Sequence, residues 1–149
     1  MALFDKLSIT SSDIQQLETI PEVYAADTGN QVPSLHISGV PEGTVELALI
    51  MHDPDAPLPN GFTHWIKYGI SANTTTIDET VGRTGPNTLG TQEYSGPQPP
   101  SGHGVHHYYF WIFALKEKVV GEPSREEFIS QYGSSVLEQA RLVGLYSAE

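Results

Sequence analysis

The stretch "VELALIM", Val45 to Met51, is apolar at nearly every position and runs straight into "HDPDAP". A run of that length reads as a β-strand covered on both faces. The prolines then fix the geometry at its end. Pro54 and Pro57 have φ locked, and each pushes the residue before it, Asp53 and Ala56, toward extended backbone. Two rigidly placed carboxylates, Asp53 and Asp55, therefore stand at the mouth of a buried strand.

Two further runs share this character. "HYYFWIFAL", His107 to Leu115, is apolar and aromatic throughout and reads as a second strand buried on both faces, whereas "HWIKYGI", His64 to Ile70, alternates more clearly. These three are expected to be central strands of a sandwich or large sheet. A fourth, short strand is expected around Leu35 to Ile37, followed by a turn at Pro41 to Gly43. Fourteen glycines and eleven prolines punctuate the runs as in a β-rich domain with many turns.

After Pro123 the texture changes. Ser124 with Glu127 three residues on forms a capping box, and the spacing of Phe128, Ile129 and Tyr132 predicts a short helix. Gly133 interrupts it. Val136, Leu137, Ala140 and Leu142 or Val143 then make one stripe, which predicts a C-terminal helix with Gly144 as its cap. The polar segment from Ser71 to Ser95 reads as an extended loop of the kind that borders binding sites.

At 149 residues with no linker or repeat, a single domain over residues 1–149 is expected. Eighteen acidic residues against seven lysines and arginines give a formal charge of -11, a field that repels nucleic acid and anionic lipid. The absence of cysteine excludes disulfides, thiolate ligands and a cysteine nucleophile. Asp5 and Lys6 stand where a secretory signal needs apolar residues, and no run reaches the ~18 apolar residues of a membrane span. A cytoplasmic protein without membrane insertion is expected, as monomer or homodimer.

The chemistry sits at strand ends. Asp53 and Asp55, two apart, are expected to line one wall of a cleft, His64 opens the next strand, and His106 and Tyr108 share one face at the start of another. A carboxylate beside a histidine favours the imidazolium, and with a phenol it makes a donor-rich socket for a small oxyanion. The plainer reading of "DPDAP" is a turn whose aspartates cap backbone N–H groups. His103, in a glycine-flanked loop, reads as a solvated turn residue, and His52 as structural. A metal held by Asp53, Asp55, His64 and His106 is a rival, although no tight ligand spacing supports it, and no metal or other cofactor is expected. Nucleophile elbows and phosphate-binding loops are missing.

Three ordered blocks, "PSLHISGVPEGTVELALIMHDPDAP", "THWIKYGI" and "SGPQPPSGHGVHHYYFWIFAL", together with the closing "VLEQARLVGLY", resemble the phosphatidylethanolamine-binding proteins, also called Raf-kinase-inhibitor-like proteins, in their prokaryotic form. The resemblance runs from about Ile20 to Tyr146. It implies a mainly β sandwich, a large central sheet plus a smaller one, with short peripheral and C-terminal helices. It also implies an anion pocket built from Asp53, His64, His106 and Tyr108, with Asp55, Phe62, Gly96, Pro99 and Pro100 shaping its walls and Tyr146 covering it. His107 stands where the family commonly has arginine, and the Ser101 to Val105 loop is longer than in many members.

The function expected on these grounds is non-catalytic binding of a small anion, a phosphate or phosphoethanolamine-like headgroup, with a possible regulatory role. The family name suggests an alternative, inhibition of a protein kinase or serine protease through surface loops such as Thr84 to Gln98. A third reading is a small-molecule lyase, cyclase or hydrolase with His64 or His106 as base and Asp53 as its orienter.

Overall fold

The computed structural model describes residues 6–148. Its centre is the strand that the apolar run predicts: β3, Glu46–Asp53, is buried at every position. Strands β1 (Ser8–Thr10), β2 (Leu35–Ser38) and β5 (Thr76–Ile77) form a small sheet in the order β1-β2-β5. The large sheet has the order β6-β4-β3-β7-β8, with β4 at Phe62–Ser71, β6 at Arg83–Thr84, β7 at His106–Leu115 and β8 at Val136–Tyr146. All pairings in both sheets are antiparallel.

The large sheet is covered on both faces, which explains the unbroken hydrophobicity of β3. On one face Leu47, Leu49, Met51, Trp65, Phe110 and Ile112 pack against Ile9, Leu35, Ile37 and Ile77 of the small sheet. On the other, Ala48, Ile50, Ile66 and Tyr68 meet Phe128 and Tyr132 of the helix α1, Arg125–Tyr132. Burial of this apolar surface, at roughly 25 cal/mol per Å², is the main stabilising contribution. One charge is buried at the start of β3: Glu46 Oε2 accepts from the N–H groups of Gly69 at 3.2 Å and Val119 at 3.1 Å.

The helix forms where its cap predicts. Ser124 Oγ accepts from the Glu127 N–H at 3.2 Å, and Glu127 Oε1 accepts from the Ser124 N–H at 2.9 Å. The second, C-terminal helix is corrected. Residues from Val136 onward are β8, paired with β7 from Leu115↔Val136 to His106↔Tyr146. Ala140 and Leu142, two apart, face the core, so the stripe that suits a helical period suits an alternating one as well. Gly144 is not a helix cap but lies opposite Tyr108, where a Cβ would stand 2.5 Å from Ile20 Cγ1. Its missing side chain lets Ile20 and Ile14 reach the sheet.

Three smaller expectations also change. β7 alternates buried and half-buried positions rather than being sealed on both faces, because α1 roofs only part of the sheet. β4, read as alternating, is buried almost throughout. The segment from Ser71 to Ser95 is not all loop, since it contributes β5 and β6.

Candidate functional site

β3 ends where β4 and β7 begin, because both neighbours run antiparallel to it. The register sets Asp53 beside Phe62 and His52 beside Tyr109, with His106 the first residue of β7. Three strand ends remote in sequence therefore meet at one edge of the large sheet. Between Met51↔Trp65 and His52↔Thr63 the pairing skips one residue of β4, and that residue is His64. Such a bulge re-aims a side chain. His64 and Trp65, neighbours that strict alternation would separate, consequently serve the same side of the sheet.

At this edge lies a cavity of about 260 Å³ lined by Asp53, Phe62, His64, His106 and Tyr108 of the strands and by Gly96, Pro99 and Pro100 of the loop between β6 and β7. Each was singled out in the sequence. Its apolar wall also includes Ala56, Pro57, Leu58 and Leu89, and Ser95 and Gln98 complete it. None of these six was anticipated individually, since a loop residue carries no periodic signal. Gly96 is required by contact: a Cβ there would lie 2.0 Å from the Tyr24 carbonyl oxygen.

Asp53 and His106 form the floor, with 2% and 1% of their surface exposed. His106 Nδ1 donates to Asp53 Oδ2 at 2.6 Å, and Asp53 Oδ1 accepts from the Asp55 N–H at 2.7 Å. The two readings of "DPDAP" are thus combined in one side chain, a turn cap with one oxygen and a histidine orienter with the other. Pro54 sets the turn that makes both possible.

His64 departs from the charged imidazole expected of it. Burial pushes it down to about 4, against the opposing pull of the Ser95 carbonyl and the Asp53 charge. Its Nδ1 donates to the Ser95 carbonyl at 2.7 Å, which leaves Nε2 as a lone-pair acceptor. The ring packs edge-on to Tyr108, centroids 5.2 Å apart, and against Phe62 at 4.6 Å. Tyr108 is wholly buried, and its hydroxyl has no hydrogen-bond partner among the described residues. Burial and the Asp53 charge push this phenol up from its ordinary value.

Two expected members stand elsewhere. Asp55 does not line the cavity; the chain turns after Asp53, and Asp55 Oδ2 accepts from both the backbone N–H and Nδ1 of His107, each at 2.7 Å. Partial burial alone would raise the Asp55 carboxyl, but those His107 hydrogen bonds hold it below its ordinary value. Tyr146 pairs with His106 in β8 and packs against the core without reaching the cavity wall. His103, read as a solvated turn residue, is exposed but engaged: its Nδ1 lies 2.6 Å from His106 Nε2. His52 is structural, with Nδ1 3.0 Å from Thr63 Oγ1. Among the described residues no group of three or more His, Asp or Glu is placed to hold a metal ion, and no helix is long and apolar enough to cross a membrane.

Residues 10–147 match the family model described as "PBP: Phosphatidylethanolamine-binding protein". The UPF0098 protein of Aquifex aeolicus is 36% identical over 154 residues, covering 96% of this chain and 90% of that protein. The UPF0098 protein of Methanothermobacter thermautotrophicus is 41% identical over 138 residues, 85% and 89% of the two chains. The crystal structure of Escherichia coli YbcL, a member of the mammalian PEBP family, superposes with a TM-score of 0.89 at 29% identity and covers 96% of this chain and 99% of its own. With a family model matched along nearly all its length and relatives sharing its fold, the chain belongs to the phosphatidylethanolamine-binding protein family.

Proposed function

We propose that this protein binds a small oxyanion, a phosphate or a phosphate-bearing headgroup, in the cavity at the end of the large sheet, and holds it without chemical conversion. The observation that carries this reading is Tyr108, a residue of the cavity wall whose hydroxyl is buried and without a partner among the described residues. A buried hydroxyl left unpaired costs about 1–3 kcal/mol. A ligand oxygen accepting from it recovers that cost. His64 Nε2 offers the complementary lone pair, so a phosphate monoester can donate its P–OH to His64 while an anionic oxygen accepts from Tyr108.

The net charge of -11 does not oppose this, since screening weakens distant charges within about 10 Å while the donors act at contact. Phe62, Pro57 and Pro99 supply apolar walls that exclude water from the anion. The test is titration of isotope-labelled protein with phosphate and with phosphoethanolamine, followed at the rings of His64, His106 and Tyr108. Saturable shifts at millimolar ligand are expected. Unmoved ring signals at that concentration reject the reading.

A further inference from the structure

His106 presents one nitrogen beyond the Asp53 pair, and it is already taken. His103 Nδ1 lies 2.6 Å from His106 Nε2, with ring centroids 4.8 Å apart. At that separation the two nitrogens share one proton, because two lone pairs repel and two N–H groups clash. The string therefore runs Asp53 Oδ2, His106, His103, from a buried carboxylate to an exposed loop. Whichever imidazole holds the shared proton, His106 Nε2 is unavailable to a ligand while His103 stays.

The loop that carries His103 is exposed and loosely packed at its glycines. Gly102 and Gly104 flank the histidine with φ of +77° and +91°, and a Cβ at either would meet nothing within 4 Å. The His103 N–H reaches the carbonyl of Pro100, a residue of the cavity wall, at 3.1 Å, which ties the loop's base, while its side chain is held against His106. His106 lines the cavity and His103 does not. His103, set just outside the cavity, is thus the partner of a nitrogen that belongs to a residue of the cavity wall.

We infer that His103 competes with the ligand for His106 Nε2: in the ligand-free protein its imidazole takes the hydrogen bond that a ligand oxygen would make, and ligand entry displaces it about Gly102 and Gly104. This rests on the oxyanion reading. Competition of this kind lowers apparent affinity by the fraction of time the nitrogen is free, and a single neutral hydrogen bond corresponds to about fivefold. The factor is the same for every ligand that needs this nitrogen.

The experiment compares the full-length protein with its His103→Ala variant, using inorganic phosphate as probe and isothermal titration as readout. The variant is expected to bind phosphate about fivefold tighter. In the nitrogen-labelled wild type, coupling across the N–H···N contact between His103 and His106 is expected to be present without phosphate and lost at saturation. Equal or weaker binding by His103→Ala, or coupling that survives saturation, overturns the inference while leaving the oxyanion pocket intact. Absence of phosphate binding in both proteins overturns the pocket itself, and the competition with it.

Discussion

His106 Nδ1 stands 2.6 Å from Asp53 Oδ2 in a place where neither side chain meets solvent appreciably. A buried pair of this kind is worth little against an apolar replacement of the same shape, yet breaking it from one side is costly, because the remaining polar group loses its partner. Asp53→Asn isolates that cost. The amide oxygen can still accept from the Asp55 N–H, so the turn is preserved while the carboxylate facing His106 is lost. We expect the variant to be about 3 kcal/mol less stable at pH 7 by urea unfolding. A change below about 1 kcal/mol would show the pair to be uncoupled.

Acid should destabilise the protein before its carboxylates titrate. Burial lowers His64 to about 4, and burial followed by the Arg125 charge lowers His52 to about 4, from 6.5 in each case. A folded-state value below the unfolded one means that the unfolded chain takes up protons first as pH falls. Stability from these residues is therefore full well above pH 6.5 and declines toward pH 4, by up to about 3 kcal/mol for the deeply buried His64 and by less for His52, whose charge solvent partly screens. Urea midpoints measured from pH 7 to pH 4.5 should fall steadily, and His52→Gln should remove part of the slope. Midpoints that stay level across that range would contradict neutral burial of both rings.

The sites of success and failure in the sequence share a physical cause. β3 was legible because a strand covered on both faces must be apolar at nearly every position, and the prolines directly after it mark where it stops. α1 was legible because its capping box is local chemistry. β8 was not, since Val136 to Tyr146 satisfies both a helical and an alternating period, and only its hydrogen bonds to the length of β7 decide between them. Such long-range pairing leaves no mark in a single segment.

The same distinction runs through the site. Asp53, His64, His106 and Tyr108 are chemically conspicuous and sit at strand ends, so topology needed only to bring them together. Asp55 looked equivalent to Asp53, but alternation holds only while the strand continues, and here it stops at Asp53. His103 is exposed in its turn, as its flanking glycines suggest, but nothing local announces a partner three residues on.

Gly96 is expected to tolerate no side chain. A Cβ would lie 2.0 Å from the Tyr24 carbonyl oxygen and 3.0 Å from the Ala25 carbonyl carbon, both backbone atoms that cannot turn aside. Relief would require moving the 94–98 segment, breaking the bond from the Gly96 N–H to Asn30 Oδ1 at 2.7 Å and disturbing the cavity wall. Gly96→Ala should cost about 2 kcal/mol or more and lower the melting temperature by several degrees. A melting temperature within a degree of wild type would mean that the loop is not held as described.

Tyr108→Phe separates the demands of folding from those of binding. Its hydroxyl is buried and lacks a partner among the described residues, so removing it leaves the ring packing against His64 intact and takes away a desolvated polar group. Stability should stay unchanged or rise by about 1 kcal/mol. Binding should move the other way. A hydrogen bond from this hydroxyl to an anionic oxygen is charge-assisted and contributes about 1.5–3 kcal/mol, so phosphate affinity should drop at least tenfold. Calorimetric unfolding and phosphate titration on the same preparation measure both quantities. A variant that is stabilised and binds as well as wild type would place the ligand somewhere other than Tyr108; one that is destabilised would show that the hydroxyl already has a partner in the unliganded protein, such as a buried water.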